Sequence, residues 1–365
     1  MPHNRAMTLE FTAAVKRIPA YPAASGYGEQ GDLVHLASNE SPYPPIAEVV
    51  AAAAAAVADV NRYPDPTSSK LRRALSDRYG VPIEQIAVGN GSCDLLMTMS
   101  AALLEPGAEI VYAWPSFSVY PQLEAGSGAT GIQVALDSAE RHDLDAMASE
   151  ITVATRLVIV CNPNNPTSTA LPLEQIAEFV QGIRSNVCVL IDEAYCEFNL
   201  LDDPDSSLAL LDDHANVVLL RTFSKVYGLA GLRAGFALCG SRELPDALAQ
   251  LRQPFFLNAA AQAAALEALR HQDEVARRVE RIAVARVQMI EGLRELGIEA
   301  AESQANFCWF DVGEGRDEAQ IVKGLAEQGV LVRAGAALGK EGALRVSFGT
   351  PAENDRFLAA FASLL

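Results

Sequence analysis

Short apolar runs alternate with segments of helical length through the first two thirds of the chain. The runs Glu109–Tyr112, Ile132–Leu136, Leu157–Cys161, Val187–Ile191, Val217–Leu220 and Phe236–Cys239 are rich in Val, Ile and Leu, and most lack a polar alternation. A strand that is apolar on both sides is covered on both faces. Stretches such as Ser92–Leu104 and Leu173–Ile183 read as the intervening helices. The pattern predicts a mainly parallel sheet sandwiched by helices. From about Arg242 to Leu296 it reads as nearly continuous helix, after which strands near Phe307–Phe310, Val330–Val332 and Leu344–Phe348 interleave with helices. The expectation is an α/β fold with an N-terminal arm over 1–34, a large domain over 35–245, and a connecting helix with a smaller C-terminal α/β domain over 246–365.

Composition narrows the function classes. Half of the 365 residues are hydrophobic, enough for two cored domains. No run approaches the roughly 18 apolar residues of a membrane span. The opening Met1-Pro2-His3-Asn4-Arg5 leads into a mixed segment with Glu10, Lys16 and Arg17, so a cytoplasmic location is expected. The formal net charge of −18 argues against nucleic acid and anionic lipid as partners. An anionic small molecule would need particular arginines. The six cysteines form no CxxC pair and the five histidines no HExxH spacing. Buried free thiols and no metal are the expectation.

Ligands of open parallel sheets bind at the carboxyl ends of the strands, and four segments there carry chemistry. Val88-Gly89-Asn90-Gly91-Ser92-Cys93-Asp94 places glycines before a helix, whose free N–H groups suit a phosphate. Alone it is as well read as a turn and cap. Asn162-Pro163-Asn164-Asn165-Pro166-Thr167-Ser168 follows an apolar strand, and its prolines hold an amide rigidly. Asp192 closes the buried strand before Glu193-Ala194-Tyr195, and an ionised acid there needs a cationic partner, such as a protonated ring nitrogen. Lys225 lies just past a strand, within Arg221-Thr222-Phe223-Ser224-Lys225-Val226-Tyr227-Gly228-Leu229-Ala230-Gly231-Leu232-Arg233. Hydroxyls and Arg233 beside an amine suit a phosphate-anchored aldehyde, and desolvation would lower the lysine pKa. A lone lysine would be read as surface. One decoy is Gly126-Ser127-Gly128-Ala129-Thr130-Gly131, which matches GxGxxG but has a helix before it and a strand after it, the reverse of the dinucleotide arrangement.

Together with Leu36-Ala37-Ser38-Asn39-Glu40-Ser41-Pro42, Asn61-Arg62-Tyr63-Pro64-Asp65 and Leu344-Arg345-Val346, these segments resemble the fold-type-I pyridoxal 5'-phosphate (PLP) enzymes. The likeness is to their class II aminotransferases, in the branch of the histidinol-phosphate and aromatic amino acid aminotransferases. The resemblance implies PLP bound covalently on Lys225, which also shuttles the substrate proton. It implies Asp192 on the ring nitrogen, Asn165 and Tyr195 on the phenolic oxygen, and Phe117 stacked on the ring. Thr222, Ser224, Arg233 and the backbone of Gly91, Ser92 and Cys93 would hold the phosphate. Tyr63 would reach it from a neighbouring subunit, so a homodimer with shared sites is implied.

On the substrate side, Arg345 matches the α-carboxylate clamp, where a planar fork suits two parallel bonds. Asn39 would line the same pocket, and Tyr21 and Arg333 match contacts to a distal phosphate. The implied reaction is transfer from a small-molecule amino donor to a 2-oxo acid, with histidinol phosphate (histidine biosynthesis) preferred. An aromatic amino acid such as phenylalanine is the alternative, and a threonine-phosphate decarboxylase-like lyase a third reading. Three places depart from the family. After Arg333 come Ala334 and Gly335, where histidinol-phosphate enzymes usually carry polar residues, with the substrate at stake. Cys93 stands where an acid is commoner, with a side-chain cap at stake. Ser168 stands where glycine usually follows Asn-Pro-Thr, with a turn at stake.

Overall fold

The structure, a computed structural model, describes residues 9–18 and 31–365. Chain order begins with β1 (Val34–His35), followed by the strands of the central sheet. These are β2 (Ile86–Gly89), β3 (Glu109–Trp114), β4 (Thr130–Ala135), β5 (Thr155–Cys161), β6 (Cys188–Asp192), β7 (Val217–Thr222) and β8 (Gly235–Cys239). The seven stand in the order β2-β8-β7-β6-β5-β3-β4. Only β8 runs against its neighbours; the pairs from β7 across to β4 are parallel.

Alternation along these strands feeds two cores. Val158, Val160, Val189, Ile191 and Leu219 point into one. Leu157, Ile159, Leu190, Val218 and Leu220 point into the other. Both faces being covered is why the sequence shows apolar runs without a polar phase.

The C-terminal part contains β9 (Phe307–Asp311), β10 (Val330–Leu331), β11 (Arg333–Ala334) and β12 (Ala343–Ser347). β11, β12 and β9 form an antiparallel sheet with β12 in the middle. β1 pairs in parallel with β10, which carries residues 36–40 across to β12: Ser347 N donates to the Leu36 carbonyl at 2.9 Å.

Two local expectations are corrected. The helical stretch from Arg242 to Leu296 is three helices, Glu243–Leu251, Ala259–Ala268 and Gln272–Glu295. Pro254 has no N–H to continue the first, and Asn258 starts the second by accepting from Ala261 N at 2.7 Å. The run Val330–Val332 splits, because Val330–Leu331 bonds to β1 while Arg333 turns to pair with Arg345. The edge strand β2 carries too few residues for its pattern to stand out. The glycine decoy is a helix-to-strand turn as expected, with Gly128 at φ 80° between the helix Tyr120–Ser127 and β4. Among the described residues no helix is long and apolar enough to cross a membrane.

Candidate active site

The parallel strands β5, β6 and β7 end beside one another, and a cavity of about 350 Å³ opens at those ends. Asn165, Asp192, Tyr195, Thr222, Ser224 and Lys225 line it, each from a strand end or the loop just past one. Ser92, Cys93, Phe117 and Arg233 line it from the loops and helix N-terminus around them, and Asn39, Arg333 and Arg345 complete the wall. A larger open groove, about 850 Å³, lies by Arg141 and Glu178 and contains none of these groups. Two predicted residues stand apart. Tyr63 is 81 % exposed and stacks on Phe255 with ring centroids 4.3 Å apart, away from this cavity. Tyr21 lies outside the described residues.

Lys225 Nζ donates to the Ser38 carbonyl at 3.1 Å and sits 5.5 Å from the Tyr195 ring centre. Burial lowers its pKa to about 8, with the Arg345 charge acting in the same direction and Glu40 opposing it. Such an amine loses its proton close to neutral pH, which suits it to attack an aldehyde and to carry a proton.

Asp192 is 3 % exposed. Burial pushes its carboxyl up to about 6, opposed by hydrogen bonds from Tyr120 and the Ala194 N–H. Tyr120 Oη donates to Oδ2 at 2.9 Å and Ala194 N to Oδ1 at 3.2 Å. Nothing in the sequence marks Tyr120: its position three residues after Phe117 carries no signal until the fold sets it against β6. The carboxylate is left in want of a cation, and a protonated ring nitrogen would meet that need.

Opposite Asp192 lies a buried amide cluster. Tyr195 Oη accepts from Asn39 Nδ2 at 3.0 Å and from Asn165 Nδ2 at 3.4 Å. Arg345 donates through Nη1 to Asn165 Oδ1 and through Nη2 to the Ala37 carbonyl, both at 2.6 Å. It lies over the Phe307 ring at 5.6 Å. Arg333 and Arg345 are partners across β11 and β12 and are 5 % and 6 % exposed, so two guanidinium groups share one buried wall. Asn164 braces the loop from behind: its Oδ1 accepts from Ser116 Oγ at 2.7 Å and lies 3.2 Å from His142 Nε2. Ser168 takes the left-handed conformation at φ 62°, which explains why glycine suits that position.

At the far end, the turn after β2 forms a cradle. Gly91 has φ 84°, and a Cβ there would come 2.7 Å from Arg233 Nη2. A Cβ on Gly235 would come 2.5 Å from Ser92 N. Arg233 Nη1 contacts Ser224 Oγ at 3.5 Å, and Ser224 N donates to Thr222 Oγ1 at 3.0 Å. No side chain caps the helix that begins at Ser92, and Asp94 Oδ2 instead accepts from Asn90 N in the turn before it, at 3.0 Å. Helix N–H groups, two hydroxyls and an arginine around a space closed to Cβ atoms fit a phosphate. Phosphate cradle, amine and buried acid together fit PLP.

Known proteins agree. Residues 31–361 match the family model described as aminotransferase class I and II. An aromatic amino acid aminotransferase of Cutibacterium acnes is 41 % identical over 95 % of this chain and 96 % of its own length. Histidinol-phosphate aminotransferase 1 of Cupriavidus pinatubonensis is 42 % identical over 91 % of this chain and 88 % of its own. The solved histidinol-phosphate aminotransferase of Sinorhizobium meliloti, in complex with pyridoxal-5'-phosphate, superposes with a TM-score of 0.87 at 27 % identity, over 99 % of this chain and 98 % of that one. Fold, cavity and relatives converge: the chain belongs to the class I and II aminotransferases and works with PLP.

Proposed function

We propose that the amine of Lys225 binds PLP and that this chain moves an amino group from an aromatic amino acid to a 2-oxo acid. The observation that carries the site assignment is the joining, in one cavity, of an amine titrating near pH 8, a buried carboxylate and a buried arginine fork. When bound, the cofactor supplies an aldehyde for the amino group and an electron-withdrawing ring. The rest belongs to the chain. Lys225 carries the proton at the donor Cα. Asp192, kept charged with help from Tyr120, holds the ring nitrogen protonated. Asn165 and Tyr195 hydrogen-bond the phenolic oxygen, and Phe117 packs on the ring. Gly91, Ser92, Cys93, Thr222, Ser224 and Arg233 hold the phosphate. Tyr63, exposed and stacked on Phe255, serves the site of a second copy in a homodimer.

Arg345 is the carboxylate clamp, with Asn39 beside it. This favours an amino acid donor, since donor and 2-oxo acid acceptor then present the same α-carboxylate to one fork. The Cutibacterium acnes relative supports the aromatic choice, which reverses the order expected from Tyr21 and Arg333. Histidinol phosphate stands as the second reading, because Arg333 beside Arg345 would suit a dianion and the Cupriavidus relative bears that name. The test is single-turnover conversion of the PLP form to the pyridoxamine form with phenylalanine, tyrosine, histidinol phosphate and glutamate in turn. Phenylalanine or tyrosine should react faster than histidinol phosphate; the reverse order would establish the second reading and overturn the first.

A further inference from the structure

One buried guanidinium ties together the two backbone segments that meet at the lysine amine. Arg278 lies on the helix Gln272–Glu295 and is 3 % exposed. Its Nη2 donates to the Pro44 carbonyl at 2.6 Å, and Nη1 makes longer contacts, 3.4 Å each, to the carbonyls of Tyr43 and Val226. Nε pairs with Glu274 at 3.0 Å. Val226 directly follows Lys225. Tyr43 and Pro44 close the segment 37–44, in which Ser38 offers the carbonyl that accepts from Lys225 Nζ and Ala37 the one that accepts from Arg345.

The fit is close. Gly228, at φ 70° in the turn after Lys225, has no room for a side chain, since a Cβ would come 2.6 Å from Arg278 Nη1. Arg281, one turn along the same helix, lies over the Tyr43 ring at 5.0 Å. A buried ion pair can often be replaced by apolar residues at little or no cost in stability, so helix packing alone does not call for a charge here. The donors are spent instead on the carbonyls of two active-site segments.

We infer that Arg278, with Glu274 as its counterion, is a positioning residue for Lys225. It sets the separation between the lysine backbone and the Ser38 carbonyl, and through it the aim of the amine at the donor Cα. The inference rests on Lys225 being the cofactor lysine. The test compares Arg278→Lys, Arg278→Met and Glu274→Gln in the PLP-loaded protein with Arg294→Gln, which removes an exposed guanidinium from the last turn of the same helix. The readouts are the pH midpoint of the cofactor absorption band, the separate kcat and KM values for the amino donor, and the melting temperature.

Both Arg278 variants should move the spectral midpoint by about half a pH unit or more. Both should also lower kcat roughly tenfold with a smaller change in KM, as expected for a displaced reacting group. Glu274→Gln should act in the same direction and more weakly, and Arg294→Gln should match wild type. A folded, PLP-loaded Arg278 variant with wild-type midpoint and kcat overturns the inference, whatever its melting temperature. If Arg278→Met does not fold, Arg278→Lys and Glu274→Gln decide. A wild type without the band, or a Lys225→Ala protein that keeps it, would instead overturn the assignment of Lys225.

Discussion

Asp192 shows how a residue's environment becomes a measurable property. Its folded-state pKa of about 6 stands above the ordinary carboxyl value of 3.8 because burial penalises the charge. A raised pKa means that the protonated carboxyl favours the folded state. In cofactor-free protein this contribution is complete below pH 3.8 and is lost as pH rises through about 6. Between pH 5 and 7.5 the loss amounts to about 1 kcal/mol. Urea unfolding of the cofactor-free wild type and of Asp192→Asn at the two pH values checks this. The difference between the proteins should change by about that amount in favour of the variant at the higher pH, and a constant difference would show that Asp192 is not buried as described. Asp192 was legible in the sequence because an acid ending an apolar strand is conspicuous. Its partner Tyr120 was not, since the two lie 72 positions apart and only the folded chain brings them together.

At the scale of elements, the turn from β2 into the helix Ser92–Leu103 is built around the absence of a side chain at Gly91. Gly91→Ala places a methyl where Arg233 Nη2 lies 2.7 Å away and strains a backbone at φ 84°. The expected outcome is a protein of wild-type secondary structure whose PLP dissociation constant rises roughly tenfold or more, a loss of at least about 1.4 kcal/mol of binding. Equilibrium dialysis or absorbance titration measures it, and unchanged affinity would remove Gly91 from the phosphate site. The central strands were readable from their apolar runs because burial on both faces leaves no other pattern. The breaks between the helices after Arg242 are marked in the sequence only by single residues such as Pro254 and Asn258. Across those two residues, Leu248 packs in one core and Ala261 in the other.

For the whole molecule, the proposed sharing of the site between two copies makes a claim that one chain cannot satisfy. Tyr63→Ala and Lys225→Ala proteins should each be nearly inactive. Mixed after dissociation and reassociation, they should recover about a quarter of wild-type activity, since half of the dimers are mixed and each holds one intact site. No recovery would separate Tyr63 from the partner's cofactor. The sequence by itself determined the α/β class, the strand-end positions of Asn165, Asp192 and Lys225, and the glycine turn before the helix at Ser92, because each is a local pattern of burial, charge or backbone freedom. The tertiary structure alone decided the company those residues keep. Pairing of β1 with β10 brings Ser38 to Lys225 and Asn39 to Tyr195, β12 delivers Arg345 to Asn165, and the long helix sets Arg278 beneath the lysine. Such contacts join residues far apart in the chain, and their energy depends on distance in space, which spacing along the sequence does not encode.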